Sequence, residues 1–361
     1  MNIVHLSAEK TWRGGEKQIA YLIEGLRKSN QNQLVICRKN SAFEKYCIEN
    51  QIPYTSLSFK NQFDLNTSLS VKKICKEFKA DVVHMHSSHA HAIAVWSYYL
   101  GNTTPMVLSR KVDFAISNNI LSKVKYNCKG IKKIICVSEE IKKIMESAII
   151  DKSKLEVIYD GIDTEKYIHI DKEYLRKEFN IDANTPIIAN TSALADHKDY
   201  PTFINMIKYL KNKIRAKYFI ISEGPLFEEV RELVKLNGLE EDVIFTGFRK
   251  DIDKILPSLD YFVITSKTEG LGSSILDAYA AEVPVICTNA GGIKEIANQD
   301  VAMVNKVGDY VGLANSIIEL INNTDLKKSK IEKAKSYVNN FDKEIMSNKT
   351  LSLYQQISSS K

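Results

Sequence analysis

Ten short runs of β-branched and apolar residues recur along this sequence, and longer segments with helical spacing separate them. The runs are Ile3–Leu6, Leu34–Cys37, Asp81–His86, Met106–Ser109, Lys133–Val137, Pro186–Thr191, Tyr218–Ser222, Val243–Thr246, Tyr261–Thr265 and Val285–Thr288. Among the intervening segments, Glu16–Arg27, Leu65–Phe78, Thr202–Leu210 and Leu226–Leu236 repeat their apolar positions at helical intervals. Strands joined through helices pair in parallel, because only a long crossover can return the chain to the same end of the sheet. The alternation therefore predicts α/β architecture with doubly wound parallel sheets covered on both faces. It lapses once, in the charged stretch GIDTEKYIHIDKEYLRKEFNIDANT that follows Asp160, and restarts at Pro186. Two tandem Rossmann-like domains result, residues 1–165 and 166–340, and 361 residues suffice for two such cores. The last segment, Asn340–Tyr354, reads as a helix with no strand after it. Residues 341–361 are expected to pack back across the junction.

Composition removes several function classes. A hydrophobic fraction of 44% with 26% charged residues excludes wholesale disorder and a polytopic membrane protein. Fifty Lys and Arg against 44 Asp and Glu leave +6, which tolerates anionic partners without demanding nucleic acid. The six cysteines show no CxxC spacing and fall mostly in apolar segments, so they read as reduced core thiols. Met1–Leu6 lacks the basic start of a signal peptide. The longest uncharged run, Ala92–Ser109, is broken by Gly101, Asn102 and Pro105, short of the roughly 20 apolar residues a spanning helix needs. A cytoplasmic protein is expected, soluble or peripheral on the inner face of the cell membrane. Lys72, Lys73, Lys76 and Lys79, with Lys123, Lys125, Lys129, Lys132 and Lys133, concentrate basic charge in the first domain, where contact with an anionic membrane would fall. Solvated helix faces account for them equally well.

In open α/β sheets ligands bind outside the carboxyl ends of the strands, in a cleft when two such domains face one another. The residues after each strand are thus the candidates, and with 15 glycines in the chain any paired glycines are informative. The first strand leads into Trp12-Arg13-Gly14-Gly15-Glu16 at a helix start, suited to an anion or a charged acceptor. It is neither a P-loop nor GxGxxG, so ATP hydrolysis and a standard NAD site lose support. His84, His86, His89 and His91 crowd the end of the third run. A metal usually wants Cys, Asp or Glu beside them, so cleft lining or acceptor contact is the preferred reading. Arg110-Lys111-Val112-Asp113 can hold an anionic leaving group while the carboxylate orients a hydroxyl.

In the second domain Lys198 is a candidate phosphate-binding charge. Glu223-Gly224 and Gly247-Phe248 are further strand-end turns. The most informative segment is Glu269-Gly270-Leu271-Gly272-Ser273-Ser274-Ile275-Leu276-Asp277: two glycines precede a helix, and two carboxylates sit eight apart. One carboxylate can address the group beyond the phosphates and the other a ribose diol. Gly291-Gly292 form another pair at a helix start. Asp251–Asp253 forms a D-x-D, read as a helix N-cap at Asp251 in preference to a metal pair.

These motifs, with DVVHMHSSH, VIYDGIDTEKY, SEGP, FTGF, EGLGSSILDA and PVICTNAGGIKE in order, resemble the family 4 glycosyltransferases of the two-domain GT-B fold over nearly the whole chain. The resemblance implies a retaining, metal-independent transfer from a nucleotide-sugar donor, with no cofactor and a UDP-sugar favoured over a GDP-sugar. It implies an acceptor that is a glycan or lipid-linked glycan, in cell-surface polysaccharide or lipopolysaccharide synthesis. Catalytic roles would fall to Glu269, Lys198, Lys111 and Arg110. Gly15, Ser192, Lys198, Glu223, Gly224, Phe248, Glu269, Gly270, Leu271, Gly272, Ser273, Ser274 and Asp277 would face the donor. Trp12, Glu16, His86, His89 and Asp113 would face the acceptor, and no residue would hold metal. The chain departs from the pattern at Ala193 where Arg is frequent, at Arg110-Lys111 where His is frequent, at Asp277 where Glu is usual, and at Asp160 where Asn is common. A nucleotide-sugar 2-epimerase of like architecture and a catalytically silent nucleotide-sugar-binding subunit are the rival readings.

Overall fold

The computed structural model describes residues 1–117, 119–167 and 171–359. The chain forms two compact units, Ile162–Asp342 and, on either side of it in sequence, Met1–Gly161 together with the C-terminal helix Lys343–Ser359. The breaks fall at Gly161/Ile162 and Asp342/Lys343, where the sequence reading sets 165/166 and 340/341.

The first unit is built on seven strands, β1 (Asn2–Ser7), β2 (Asn32–Arg38), β3 (Tyr54–Leu57), β4 (Val82–Met85), β5 (Met106–Arg110), β6 (Ile131–Cys136) and β7 (Leu155–Val157). They lie in the order β3-β2-β1-β4-β5-β6-β7, all parallel. Its helices are α1 (Gly14–Lys28), α2 (Ala42–Glu49), α3 (Leu65–Glu77), α4 (Ser88–Tyr99), α5 (Ile120–Tyr126) and α6 (Glu139–Glu146). Side chains alternate faces along a strand. One sheet face accordingly buries Ile3, Val82, Val107 and Ile135 beneath Leu22 and Leu26 of α1 and Met346, Leu353 and Tyr354 of the C-terminal helix. Full burial of each such side chain is worth roughly 1.5–3 kcal/mol. The C-terminal helix is thus part of this unit's core. Gly25 of α1 admits it closely, since an added Cβ would stand 2.1 Å from Ser347 Oγ.

The second unit has six parallel strands, β8 (Ile187–Asn190), β9 (Lys217–Ile220), β10 (Val243–Phe245), β11 (Tyr261–Ile264), β12 (Val285–Thr288) and β13 (Met303–Asn305), in the order β10-β9-β8-β11-β12-β13. Its helices are α7 (Tyr174–Phe179), α8 (Tyr200–Leu210), α9 (Phe227–Leu236), α10 (Ile252–Ile255), α11 (Ser274–Ala280), α12 (Ile293–Ile296), α13 (Tyr310–Asn322) and α14 (Thr324–Tyr337). Phe203, Ile207 and Leu313 seal one face of the sheet over Tyr218, Val263 and Ile286.

All ten expected strands are present. The three that periodicity missed, β3, β7 and β13, are edge strands of three or four residues. An edge strand exposes one flank and needs no long apolar run. All six cysteines are buried and free, and no helix of the described residues is long and apolar enough to cross a membrane.

Candidate functional site

Each sheet reverses its winding at one place. In the second unit the chain moves outward from β8 to β9 and β10, then returns to lay β11 on the other side of β8. A crevice opens at the carboxyl ends of strands flanking such a reversal. Lys198 follows β8, Glu269 follows β11, and the structure joins them in an ion pair whose side chains are 16% and 10% exposed. Ser266 Oγ donates to the same carboxylate at 2.8 Å. The two loops are stitched together, with Thr265 Oγ1 donating to the carbonyls of Lys198 (3.0 Å) and Asp199 (3.1 Å). Asp199 itself takes φ +51, a left-handed turn that ends the short helix carrying Lys198. The lysine is therefore held by backbone geometry and by its carboxylate together.

The glycines around this pair have distinct tasks. Gly272 adopts φ +83 just before Ser273 and α11, a conformation open to glycine. Gly291 and Gly292 serve packing: an added Cβ would lie 2.3 Å from the Glu269 carbonyl oxygen and 2.1 Å from that of Gly270. They let the β12 turn press against the Glu269–Gly270 backbone, and Gly292 N–H donates to the Glu269 carbonyl at 2.9 Å. Gly224 likewise meets the Leu194 backbone, 2.3 Å from its oxygen, which seats the Glu223 turn on the loop after Ser192. Gly247, at φ +68, would place a Cβ 3.4 Å from Glu223 Oε1, while Phe248 beside it is exposed. Leu271 and Asp277 are buried, and Ser274 opens α11.

Asp277 accepts a hydrogen bond from Tyr167 at 2.9 Å. Sequence reasoning missed Tyr167, although it ends the VIYDGIDTEKY motif; nothing in that motif says it folds onto α11. Ser266, and Asn190 at the end of β8, were also missed. Asn190 Nδ2 is buried and without a partner among the described residues. The Asp251 reading needs correction. It occupies the N-cap position of α10, but its side chain makes no capping bond. It instead accepts two bonds from Arg249 (2.9 and 2.6 Å) and one from Tyr174 (2.7 Å), and these partners hold its carboxyl below the usual range. Arg249 is also bidentate to Glu178.

In the first unit the reversal lies between β1 and β4. Gly14 and Gly15, after β1, would meet nothing within 4 Å of an added Cβ. No protein atom demands glycine there, which leaves the helix start bare to an approaching molecule. Glu16 is buried, with its carboxyl raised chiefly by burial, and accepts from Arg13 N–H at 3.2 Å. Trp12 stacks on Phe43 with centroids 5.9 Å apart and meets Tyr46 at a tilt, 4.9 Å away.

The histidines divide. His5, His84 and His86 share one sheet face, because β1 and β4 pair His5 with His84. His5 Nδ1 lies 3.1 Å from His86 Nε2, His5 Nε2 3.1 Å from Gln33 Oε1, and His84 contacts Tyr354 Oη (2.5 Å) and Ser109 Oγ (2.7 Å). Burial first, then the neighbouring imidazoles and Lys111, holds His84 and His86 well below the ordinary imidazole value; burial takes His5 to about 4. The three are neutral at pH 7. Their nitrogens lie within 4.8 Å of one another, close enough for one metal ion, yet hydrogen bonds within the protein already use both nitrogens of His5 and of His84. His89 faces Arg38 (3.2 Å), and His91 contacts the Lys125 carbonyl (3.1 Å).

Arg110 and Lys111 do not converge. Successive residues at a strand end point to opposite sides: Arg110 reaches Tyr126 Oη and the Phe114 carbonyl, whereas Lys111 pairs with Asp160. A small cavity of about 20 Å³, room for about one water, is lined by Lys111, Asp160, His84, His86, Ser109 and Gln18 with apolar neighbours. Asp113 Oδ2 is buried without a partner among the described residues.

Comparison with known proteins gives a consistent picture. Residues 12–166 match the family described as Glycosyltransferase Family 4, and residues 171–337 match Glycosyl transferases group 1. Among characterised relatives, N-acetyl-alpha-D-glucosaminyl L-malate synthase of Bacillus anthracis is 23% identical, over 82% of this chain and 78% of its own. UDP-Gal:alpha-D-GlcNAc-diphosphoundecaprenol alpha-1,3-galactosyltransferase of Escherichia coli is 28% identical, over 63% of each. Among solved structures, Anabaena HepE in complex with UDP and glucose superposes with TM-score 0.88 at 20% identity, covering 99% of this chain and all of its own. At that identity the likeness shows the fold, GT-B.

Proposed function

Since the chain belongs to the family 4 glycosyltransferases, we propose that it moves a sugar, with retention and without metal, from a nucleotide-diphosphate donor to a glycan or lipid-linked acceptor. The second unit takes the donor. The carrying observation is the Lys198–Glu269 pair at the reversal point between β8 and β11, beside the Gly270–Ser273 turn. A buried cation beside a glycine turn that opens a helix suits a diphosphate, whose charge grows as the sugar departs. Lys198 balances that charge, Glu269 addresses the sugar, and Asp277 with Tyr167 addresses the ribose.

The acceptor binds the first unit, near Gly14-Gly15, His86 and Lys111. Its hydroxyl attacks the anomeric carbon from the face the nucleotide leaves; the C–O bond to phosphate breaks, and the departing phosphate oxygen takes the hydroxyl proton. No protein nucleophile is needed, and neutral imidazoles lining the acceptor side avoid adding charge there. The E. coli relative takes UDP-Gal and a diphosphoundecaprenol-linked acceptor by its name, which favours a UDP-sugar, a lipid-linked acceptor, polysaccharide or lipopolysaccharide synthesis, and work at the inner membrane face.

The test is nucleotide release from UDP- and GDP-sugars in the presence of short glycan acceptors. Lys198→Ala and Glu269→Gln should each lower turnover by about 100-fold or more, a chelator should leave it unchanged, and the product should keep the donor's anomeric configuration. Near-normal transfer by either variant would refute the assignment.

A further inference from the structure

Two buried side chains beneath α1, Gln33 and His5, dictate the state of a third, His86. Registered partners in parallel strands share a face, and Ile3–Gln33 and His5–His84 are such partners, so these side chains lie on the sheet side that α1 covers. His86 prolongs β4, its N–H donating to the Leu6 carbonyl at 3.0 Å, and follows His84 by two positions onto the same side. Gln33 Nε2 donates to the Ile23 carbonyl of α1 at 3.0 Å. A carbonyl only accepts, so the amide is oriented, and the atom that meets His5 Nε2 at 3.1 Å is the acceptor Oε1. His5 Nε2 therefore carries the hydrogen of that ring. Burial keeps His5 neutral at pH 7, so its Nδ1 is bare and accepts from His86 Nε2–H at 3.1 Å. A neutral imidazole has a single N–H. With the hydrogen on Nε2, neutral His86 is left with a bare Nδ1. The bonds run one way, from His86 to His5 to Gln33 to the α1 backbone, and each polarises the next in the same sense.

His86 is half-buried, makes no other side-chain hydrogen bond among the described residues, and lines the small cavity with Ser109, Lys111 and Asp160. Of these neighbours Lys111 and Asp160 are spent on each other, and Ser109 on His84. We propose that Gln33 and His5 are positioning residues that hold His86 in its Nε2–H tautomer, so that Nδ1 accepts a hydrogen bond from a hydroxyl of the acceptor sugar adjacent to the one that attacks. This rests on the reading of the first unit as the acceptor side. The attacking hydroxyl keeps its own proton for the departing phosphate oxygen, and the second hydroxyl fixes the orientation of the sugar ring. A bare nitrogen also selects. It accepts from O–H or N–H and opposes the lone pair of an ether or carbonyl oxygen, so a sugar methylated or oxidised at that position is turned away.

Nitrogen-15 NMR of the full chain with labelled histidine at pH 7 reads the tautomer directly, with His86→Asn assigning the signals. The free protein should show hydrogen on His86 Nε2 and none on Nδ1. Adding methyl N-acetyl-α-D-glucosaminide should move the Nδ1 resonance, and one of its monodeoxy forms should fail to do so. Transfer from UDP-sugars to the same glycosides, read in parallel, should fall about tenfold for that one deoxy form. Gln33→Met removes the oxygen that receives from His5. It should mix the tautomers of His5 and His86, lower transfer to the parent glycoside about tenfold, and abolish the preference over that deoxy form, while the nucleotide-induced thermal shift persists. A merely structural Gln33 would lower transfer to every glycoside alike. Hydrogen on His86 Nδ1 in the wild-type chain, an unaltered tautomer in Gln33→Met, or the same preference among glycosides in both proteins would each overturn the proposal. The expected tautomer and glycoside response without any transfer would instead sink the transferase reading and leave the His86 assignment standing.

Discussion

The two units share one architecture and differ in what they show to solvent. Counted through the last residue, Lys361, the first carries 27 basic and 16 acidic side chains, net +11, and the second 23 and 28, net −5. Among the described residues the first exposes 13 large apolar side chains and the second four. Yet the proposed diphosphate holder is the acidic unit. The lesson is that anion binding here would be local, made by one buried lysine and a glycine turn, whereas bulk positive charge marks the other unit for a different partner. The glycine pairs differ in the same sense: Gly291-Gly292 are demanded by protein backbone, Gly14-Gly15 by nothing in the protein.

That second contrast yields the largest expected effect. Gly292→Ala drives a methyl into the Gly270 carbonyl and should destabilise the second unit by about 3 kcal/mol or more, with loss of nucleotide response. Gly15→Ala should change stability by no more than about 0.5 kcal/mol while lowering transfer. Thermal melts and turnover on the same samples check both; a folded, active Gly292→Ala would remove the distinction.

Acid should separate the units next. His5 titrates at about 4 when folded and near 6.5 when unfolded. Between those values the unfolded chain binds more protons, so stability is complete above pH 6.5 and falls as pH drops toward 4. The loss is about 3 kcal/mol for His5 alone, with His84 and His86 acting in the same direction. Hydrogen exchange resolved along the chain at pH 7 and pH 5 should show β1 and β4 loosening ahead of β8 and β11, and His5→Asn should flatten the response. Equal loosening would contradict it.

The smallest effect concerns Lys111 and Asp160. Removing one partner of a partly buried pair strands the other, so Lys111→Met and Asp160→Asn should each cost about 1–2 kcal/mol, and the double variant less than their sum. Strict additivity in urea unfolding would show the pair to be idle.

Periodicity revealed every central strand, because a strand buried on both faces must be largely apolar, and it missed three of the four edges, finding only β10. The site was legible where chemistry is local: Glu269 and the glycine turn after it stand out as residue types in a row, and Lys198 as a lone cation after β8, while their pairing across 71 positions is a product of the fold. What depends on distant partners was hidden. Lys111 and Asp160 were each visible as departures from the family pattern, 49 positions apart, but only the fold shows that they pair. Tyr167 on Asp277, and Tyr354 on His84 from 270 positions away, are likewise products of topology. The glycine pairs looked alike in sequence, and only their neighbours distinguish them.

The central claim is that the second unit alone holds the nucleotide. Hydrogen–deuterium exchange with and without UDP, and in parallel GDP, measures this directly. The account predicts protection in the segments around Ser192–Lys198 and Ser266–Asp277, abolished by Lys198→Ala, with His84–His91 and Arg110–Asp113 unchanged. Protection confined to the first unit, or a response that persists undiminished in Lys198→Ala, would contradict it.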